Sequence, residues 1–272
     1  MRGRALAGAL AALGALLWLA ACGPRAAVRE PVGATTDPAA LDRLLRQYNA
    51  APEAVRLQGR LRADGKGSAD FGARARRGEG LRLDAVAGPF STPVLSLACR
   101  EGEGGTCEVY LPTRRTAYRE AWDAWGPWFE TLLLGRVPRV GSPTEAWIYP
   151  DGRRVLVLEG AGGWRQEVAF AAGTGLPQRV SLSQEGAPRL ELAYGQYAEV
   201  EGHPFPGRVS VRAGGAEGGY ELEFRRIVPD ASLADGTLTL TLPPGTAVRG
   251  SEGLSQWNQA PFPVWRLPRP DG

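Results

Sequence analysis

Apolar and polar residues alternate along most of this chain, and this period-two pattern constrains its fold more than any other feature. The alternation is clear at 55–61, 69–75, 81–85, 155–158 and 164–170. It is clearest in five later segments, whose apolar residues are Val180/Leu182, Leu190/Leu192/Tyr194, Val209/Val211, Tyr220/Leu222/Phe224 and Leu238/Leu240/Leu242. Because successive side chains of a strand point to opposite faces, the pattern predicts strands with one buried and one solvated face.

Short glycine-containing segments separate the alternating runs. Pro150-Asp151-Gly152, residues 160–163, residues 173–175 and Asp235-Gly236 are typical of tight turns. We therefore predict a mainly β fold, with a single antiparallel sheet of about 11 strands joined mostly as a meander. An open sheet of that size tends to curl or close.

Two segments favour helices. The first begins at Asp37 as the N-cap and Pro38 as the first helical residue, and should end near Ala50. The second is predicted at about 127–135, with Pro127 in its first turn and Gly135 at its end. The acidic residues beside this second helix should face solvent, and they are Glu120, Asp123 and Glu130.

The second helix lies in an unusually apolar stretch at 119–136. Its candidate contact residues are Trp122, Trp125, Trp128, Phe129, Leu132 and Leu133. A curved sheet of about 11 strands offers more apolar surface than two short helices can cover. The residues leave two arrangements open, a sandwich without a void and a sheet that keeps an apolar cavity partly plugged by residues 119–136.

The first 22 residues indicate export and lipid attachment. Arg2 and Arg4 precede an apolar run, and Leu19-Ala20-Ala21-Cys22 resembles the lipobox of bacterial lipoproteins. The alternatives are an ordinary signal peptide or a membrane anchor, but the run is short for a bilayer span. We predict that residues 1–21 are removed, that Cys22 is acylated and inserted in membrane lipid, and that residues 22–36 form a tether.

The residue after Cys22 is Gly23 rather than an aspartate. This resembles the pattern of lipoproteins at the outer membrane, so we expect the protein in the cell envelope, facing the periplasm.

Cys99 and Cys107 flank a glycine-rich loop between two alternating runs, which predicts a hairpin. Both thiols fall on the apolar side of their strands. In an oxidising compartment we expect them to form a disulfide, and the alternative is two buried thiols. Their spacing lacks the paired clusters of a zinc site.

Composition and motifs argue against several classes of function. The formal net charge is only +3, of which the leader contributes two arginines, so no nucleic-acid partner is expected. The single histidine, His203, lies between Gly202 and Pro204 and reads as a turn residue. No Gly-x-Ser-x-Gly, His-Glu-x-x-His or P-loop pattern occurs. We expect no catalytic residues, no metal and no cofactor, so the protein should not be an enzyme.

The order of features over about residues 39–248 resembles the lipoprotein-localisation family of LolA and LolB. The similar motifs are Gly88-Pro89-Phe90-Ser91 after a strand, Leu132-Leu-Leu-Gly135-Arg-Val-Pro138, Tyr194-x-x-Tyr197, Phe205-Pro206-x-Arg208-Val209 and Leu240-Thr-Leu-Pro243. Leu240 stands where the family has a closing phenylalanine.

The resemblance implies an unclosed half-barrel over residues 37–248, with the N-terminal helix and a lid helix on the concave face. It implies an apolar cavity for acyl chains or lipoproteins as cargo, with the six residues of the tryptophan-rich stretch as its lid. Phe90 would contact the membrane in a projecting loop, the alternative being an ordinary capped turn tucked into the core. A LolA-like periplasmic carrier would deliver the cargo. Residues 249–272, which contain Trp257, Phe262 and Trp265, form a C-terminal tail.

Two functions therefore follow from the sequence. In the first, the anchored domain accepts acylated lipoproteins and passes them to the outer membrane. In the second, it is an anchored structural or protein-interaction module of the envelope that carries no lipid.

Overall fold

The computed structural model describes residues 37–50, 52–64, 67–214, 219–229, 232–234 and 236–250, without the side chains of residues 124, 125 and 213. The predictions for Cys22, the tether and the tail lie outside these residues. Within these residues lie two α-helices, α1 (Pro38–Tyr48) and α2 (Trp122–Leu133). The strands are β1 (Ala54–Ala63), β2 (Gly67–Arg76), β3 (Gly80–Ala87), β4 (Thr92–Arg100), β5 (Thr106–Leu111), β6 (Thr116–Ala121), β7 (Ser142–Ile148), β8 (Arg154–Gly160), β9 (Trp164–Phe170), β10 (Pro177–Gln184), β11 (Ala187–Gly195), β12 (Ala198–Val200), β13 (His203–Phe205), β14 (Arg208–Ala213), β15 (Gly219–Pro229) and β16 (Ala247–Gly250).

Fourteen strands form one sheet in the order β16-β6-β5-β4-β3-β2-β1-β15-β14-β11-β10-β9-β8-β7, and β12 and β13 form a separate hairpin. Two meanders, β1 to β6 and β7 to β15, are joined by the antiparallel pair β1–β15. The prediction of a mainly β, unclosed sheet is confirmed. The predicted count of about 11 was too low, and the sheet is mixed because β16 pairs with β6 in parallel.

One face of the sheet holds the core, and we call it the inner face. The apolar residues of the alternating runs lie there in a single continuous cluster that extends from β1 to β11 and on to β15. The opposite, outer face of the central strands is charged and solvated. There Arg60 pairs with Asp70 at 2.9 Å and Arg62 with Glu223 at 3.0 Å, across neighbouring strands. The alternation therefore sorts the side chains as predicted.

Helix α1 covers the inner face at β7 and β8, whereas α2 covers it at β2 to β5. Leu41, Leu45 and Tyr48 of α1 are buried in the core. Asp37 occupies the predicted N-cap position and Pro38 the first turn, but the Asp37 side chain makes no capping hydrogen bond. Its carboxylate instead accepts a bond from Arg43 at 3.4 Å.

The strand predicted at Leu238/Leu240/Leu242 is wrong. Residues 237–246 form turns and irregular chain, in which Thr237, Thr239 and Thr246 donate to the carbonyl three residues earlier, at 2.6–2.8 Å. Such local bonds compete with strand pairing. The segment runs from β15 toward β6 and meets the outer face on the way, where Arg82 donates to the Thr239 carbonyl and Arg76 to that of residue 233. It continues into β16.

Candidate functional site

Helix α2 begins five residues earlier than predicted. Trp122 is its first residue, and the Trp122 N–H donates to the Gly105 carbonyl at 2.9 Å, which fixes the helix start to the β4–β5 turn. Pro127 therefore lies inside the helix rather than in its first turn. A proline there lacks the N–H of one helical bond. The Thr131 hydroxyl donates to the Pro127 carbonyl at 2.7 Å.

Five of the six predicted contact residues of α2 can be placed, and they meet on the inner face. Trp122, Trp128, Leu132 and Leu133 are buried in the core cluster, and Phe129 is partly buried against it. The Trp122 ring lies directly over Gly126, where an added Cβ would come within 2.2 Å of the ring. The side chain of Trp125 lies outside the described residues. The apolar stripe of α2 thus covers the inner face at β2 to β5.

A glycine ends α2 and turns the chain back under the core. Gly135 has φ +72°, a left-handed conformation that favours glycine at the end of a helix. Its amide donates to the Leu132 carbonyl at 3.0 Å, and the next amide donates to the Thr131 carbonyl at 2.9 Å. The ring of Phe205 packs so closely that a Cβ on Gly135 would meet it at 2.5 Å.

The segment after α2 is held by buried hydrogen bonds that sequence reasoning missed. Asn49 pairs with both backbone groups of Val137, donating at 2.8 Å and accepting at 2.9 Å. Gln166, fully buried on the inner face, accepts from the Val140 N–H at 2.7 Å and donates to the Pro138 carbonyl. The signal was present, because Gln166 is a polar residue at an apolar position of the β9 alternation.

Three tyrosines reinforce this attachment. The Tyr48 hydroxyl donates to the Gly135 carbonyl at 2.7 Å, and it lies 3.5 Å from the Tyr197 hydroxyl, which donates to the Pro177 carbonyl at 2.6 Å. Tyr194 donates to the Arg136 carbonyl at 3.4 Å. Burial raises the pKa of all three phenols, so they remain neutral donors at physiological pH. The end of α2 is therefore firmly attached to α1 and β11.

The prediction that the acidic residues beside α2 face solvent is wrong for Glu130. It is only 7% exposed, and its Oε1 accepts from the Gly78 N–H of the β2–β3 turn at 2.9 Å. Its Oε2 is buried without a hydrogen-bond partner among the described residues. Asp123, in contrast, is exposed, and Glu120 is partly exposed on β6.

Phe90 occupies the tip of the β3–β4 turn and is 90% exposed. The Ser91 N–H donates to the Gly88 carbonyl at 3.2 Å, and both residues have positive φ, so the turn is tight and presents the ring outward. The alternative of a turn tucked into the core does not hold.

Cys99 and Cys107 lie directly opposite each other on β4 and β5, with their Cα atoms 4.0 Å apart, and the structure joins them in a disulfide. Both are fully buried on the inner face. The bond closes the hairpin on which the start of α2 rests.

The remaining candidates give no site. His203 is exposed at the start of β13, next to the turn that the sequence predicted. Within the described part of the chain, no group of three or more His, Cys, Asp or Glu side chains is placed to hold a metal ion. No helix among the described residues is long and apolar enough to cross a membrane.

A cleft of about 380 Å³ lies between the β2–β3 and β4–β5 turns and residues 233–239. None of the predicted contact residues of α2 lines it. Arg76, Glu79, Arg100 and Glu101 contribute to its wall, which is mostly polar. An acyl chain would not be favoured there, because its burial requires apolar contacts.

Comparisons with known proteins identify the fold but not a family. No family model matches the chain, and no curated protein matches it in sequence. Several solved structures are similar in fold, among them the following three. A domain described as that of an outer membrane lipoprotein-sorting protein from Vibrio parahaemolyticus is 11% identical with a TM-score of 0.51, and the match covers 74% of this chain and 95% of that one.

The other two come from Desulfovibrio piger and Nitrosomonas europaea. The first, a DUF1329 family protein, is 12% identical with a TM-score of 0.53, covering 75% of this chain and 98% of that one. The Nitrosomonas europaea structure, a LolA superfamily protein, is 11% identical with a TM-score of 0.50, and the match covers 74% of this chain and 97% of that one. The chain therefore has a fold similar to that of the LolA superfamily, lipoprotein-sorting domains and DUF1329 proteins.

Proposed function

We propose that this protein is a membrane-anchored carrier that binds acyl chains of lipids or lipoproteins on the inner face of its sheet. One observation carries the proposal: the inner face of an unclosed 14-stranded sheet is a continuous apolar surface, and over β2 to β5 it is covered by a single helix, α2. Transfer of apolar surface from water into such a site is worth about 25 cal/mol per Å². The fold similarity to a lipoprotein-sorting domain supports the same function.

Helix α2 is the lid in this proposal. Trp122, Trp128 and the leucines of α2 now occupy the positions on β2 to β5 that an acyl chain would contact. A chain that enters must therefore displace α2 or pass beneath it. The end of α2 is held by Tyr48 and Asn49 through the segment that follows, so the helix would swing off the sheet about Gly135, its first turns moving furthest.

Delivery to a membrane would use Phe90. Its ring projects from a turn that contains no charged residue, so insertion into a bilayer would bury an aromatic side chain without burying a charge. The acylated Cys22 and the tether of residues 22–36 would keep the domain near the outer membrane, facing the periplasm. Cargo would then arrive from a soluble periplasmic carrier with a LolA-like fold.

Native mass spectrometry of the chain lacking residues 1–22 tests the proposal. Co-purified masses that match acyl chains or acylated peptides, lost after delipidation and regained on adding a fatty acid, would support it. A domain that stays empty through purification and binds no added fatty acid would instead favour an anchored module that recognises another envelope component.

A further inference from the structure

A buried carboxyl group connects α2 to the sheet. Glu130 lies on the buried stripe of the helix together with Trp122, Gly126 and Leu133, which are spaced by about one helical turn. Its Oε1 accepts from the Gly78 N–H at 2.9 Å, whereas its Oε2 is enclosed without a partner among the described residues. One oxygen of the pair is thus satisfied and the other is not.

Three charged groups act on this carboxyl. Arg77 lies in the same turn as Gly78, Glu101 follows β4 and Arg136 follows α2. The two arginines are already paired with Glu53, at 3.3 Å and 3.1 Å. They therefore offer the Glu130 carboxyl only partial compensation for its burial.

Burial raises the pKa of Glu130 to about 7 from its ordinary value of 4.5. The nearby negative charge of Glu101 raises it further, while the Gly78 N–H and the two arginines act in the opposite direction. An ionised carboxylate with an unpaired buried oxygen is costly, and a protonated carboxyl is less so. Protons can reach the site because the turn at Gly78 is exposed.

Building on the proposed function, we propose that Glu130 is a proton-operated latch for the acyl-binding face: the protonated carboxyl holds α2 on the sheet, and the ionised carboxyl releases it. Release places the carboxylate in water and uncovers β2 to β5. Cargo entry is then favoured at neutral or higher pH, and retention is favoured in mildly acid surroundings.

The linkage between protonation of Glu130 and closure of α2 gives the sign and the size of the pH dependence. The carboxyl has a raised pKa in the closed state, so its contribution to closure is fully present below pH 4.5 and is lost as the pH rises to about 7. The opening equilibrium changes by about 300-fold in total, of which about 30-fold falls between pH 5.5 and 8.5.

Hydrogen exchange of the full-length, lipidated chain in lipid nanodiscs tests the latch. The opening equilibrium of peptide 122–134 is followed from pH 5.5 to 8.5, corrected for intrinsic exchange. Glu130→Gln keeps the acceptor for Gly78 but cannot ionise, and Asp123→Asn, which removes an exposed acid of the same helix, is the matched control.

We expect opening to increase about 30-fold with pH in the wild type and in the Asp123 variant, and to stay flat in Glu130→Gln. A flat wild type, or a wild-type slope retained in Glu130→Gln, overturns the latch. If Glu130→Gln does not fold, Glu130→Asp replaces it: the shorter side chain should raise exchange at every pH, and unchanged exchange overturns the latch.

Acyl content is measured separately, by mass spectrometry of the same samples cross-linked with a photoactivatable 16-carbon fatty acid. If opening of α2 depends on pH but no acyl adducts form, the carrier function is refuted and the proton response stands. If adducts form but opening of α2 does not depend on pH, the latch is refuted and the carrier function stands.

Discussion

Replacing Phe90 by glutamate should abolish delivery of cargo to membranes while leaving the fold intact. The ring is 90% exposed, so its loss removes almost no packing in the folded state, and the free energy of unfolding should change by less than about 0.5 kcal/mol. Burial of a phenylalanine side chain in a bilayer is worth about 2 kcal/mol, which corresponds to roughly 30-fold in membrane affinity. The added carboxylate makes insertion less favourable still.

The assay compares transfer of a fluorescently labelled acylated lipoprotein to vesicles with binding of the same cargo in solution. Transfer should fall by at least 30-fold in Phe90→Glu, with binding unchanged, and Phe90→Leu should retain most of the transfer. Ile148→Glu is the matched control, since Ile148 is 45% exposed on the edge strand β7. Equal loss of binding and transfer in Phe90→Glu, or no loss of transfer, would refute the role of the loop.

Three stability predictions follow from the contacts around α2. The double variant Cys99→Ser/Cys107→Ser should lower the free energy of unfolding by about 2–3 kcal/mol in urea titrations, because the bridge closes a short loop. Gly135→Ala should lower it by about 2 kcal/mol more than Gly173→Ala, since both have positive φ but only Gly135 meets a ring. Gln166→Leu should cost about 2–4 kcal/mol by thermal unfolding, because it leaves a buried N–H and carbonyl unpaired; a near-neutral effect would contradict the attachment described for residues 138–140.

Alternation predicted which side chains of most strands face the core, because it depends only on the period of the strand. It could not predict how strands pair over long distances. The pair β1–β15 joins residues more than 150 positions apart, and β16 reaches the edge of β6 after the chain has passed over the outer face. Leu238, Leu240 and Leu242 show the same limit, since alternation indicates a possible face but not a free edge to pair with.

The apolar side chains of α2 that pack on the sheet were predicted from the sequence, but the electrostatics beside them were not. The sequence predicted the helix start at Pro127. Trp122 and Glu130 lie on the same buried face only in a helix that begins at residue 122, so this shared face was not predicted. Burial of Glu130 could therefore not be predicted, because the preference of proline for the first turn of a helix put the start of α2 at the wrong residue. Asn49 and Gln166 pair with backbone groups 88 and 26 residues away, which no local pattern reveals.

The central claim is that the inner face beneath α2 takes acyl chains, and cross-linking with a photoactivatable palmitate tests it most directly. Adducts mapped by peptide mass spectrometry should fall on α2 and on inner-face residues of β2 to β5, and should be reduced by competing unlabelled palmitate. Adducts confined to the outer face, or no adducts that a competitor removes, would contradict the account.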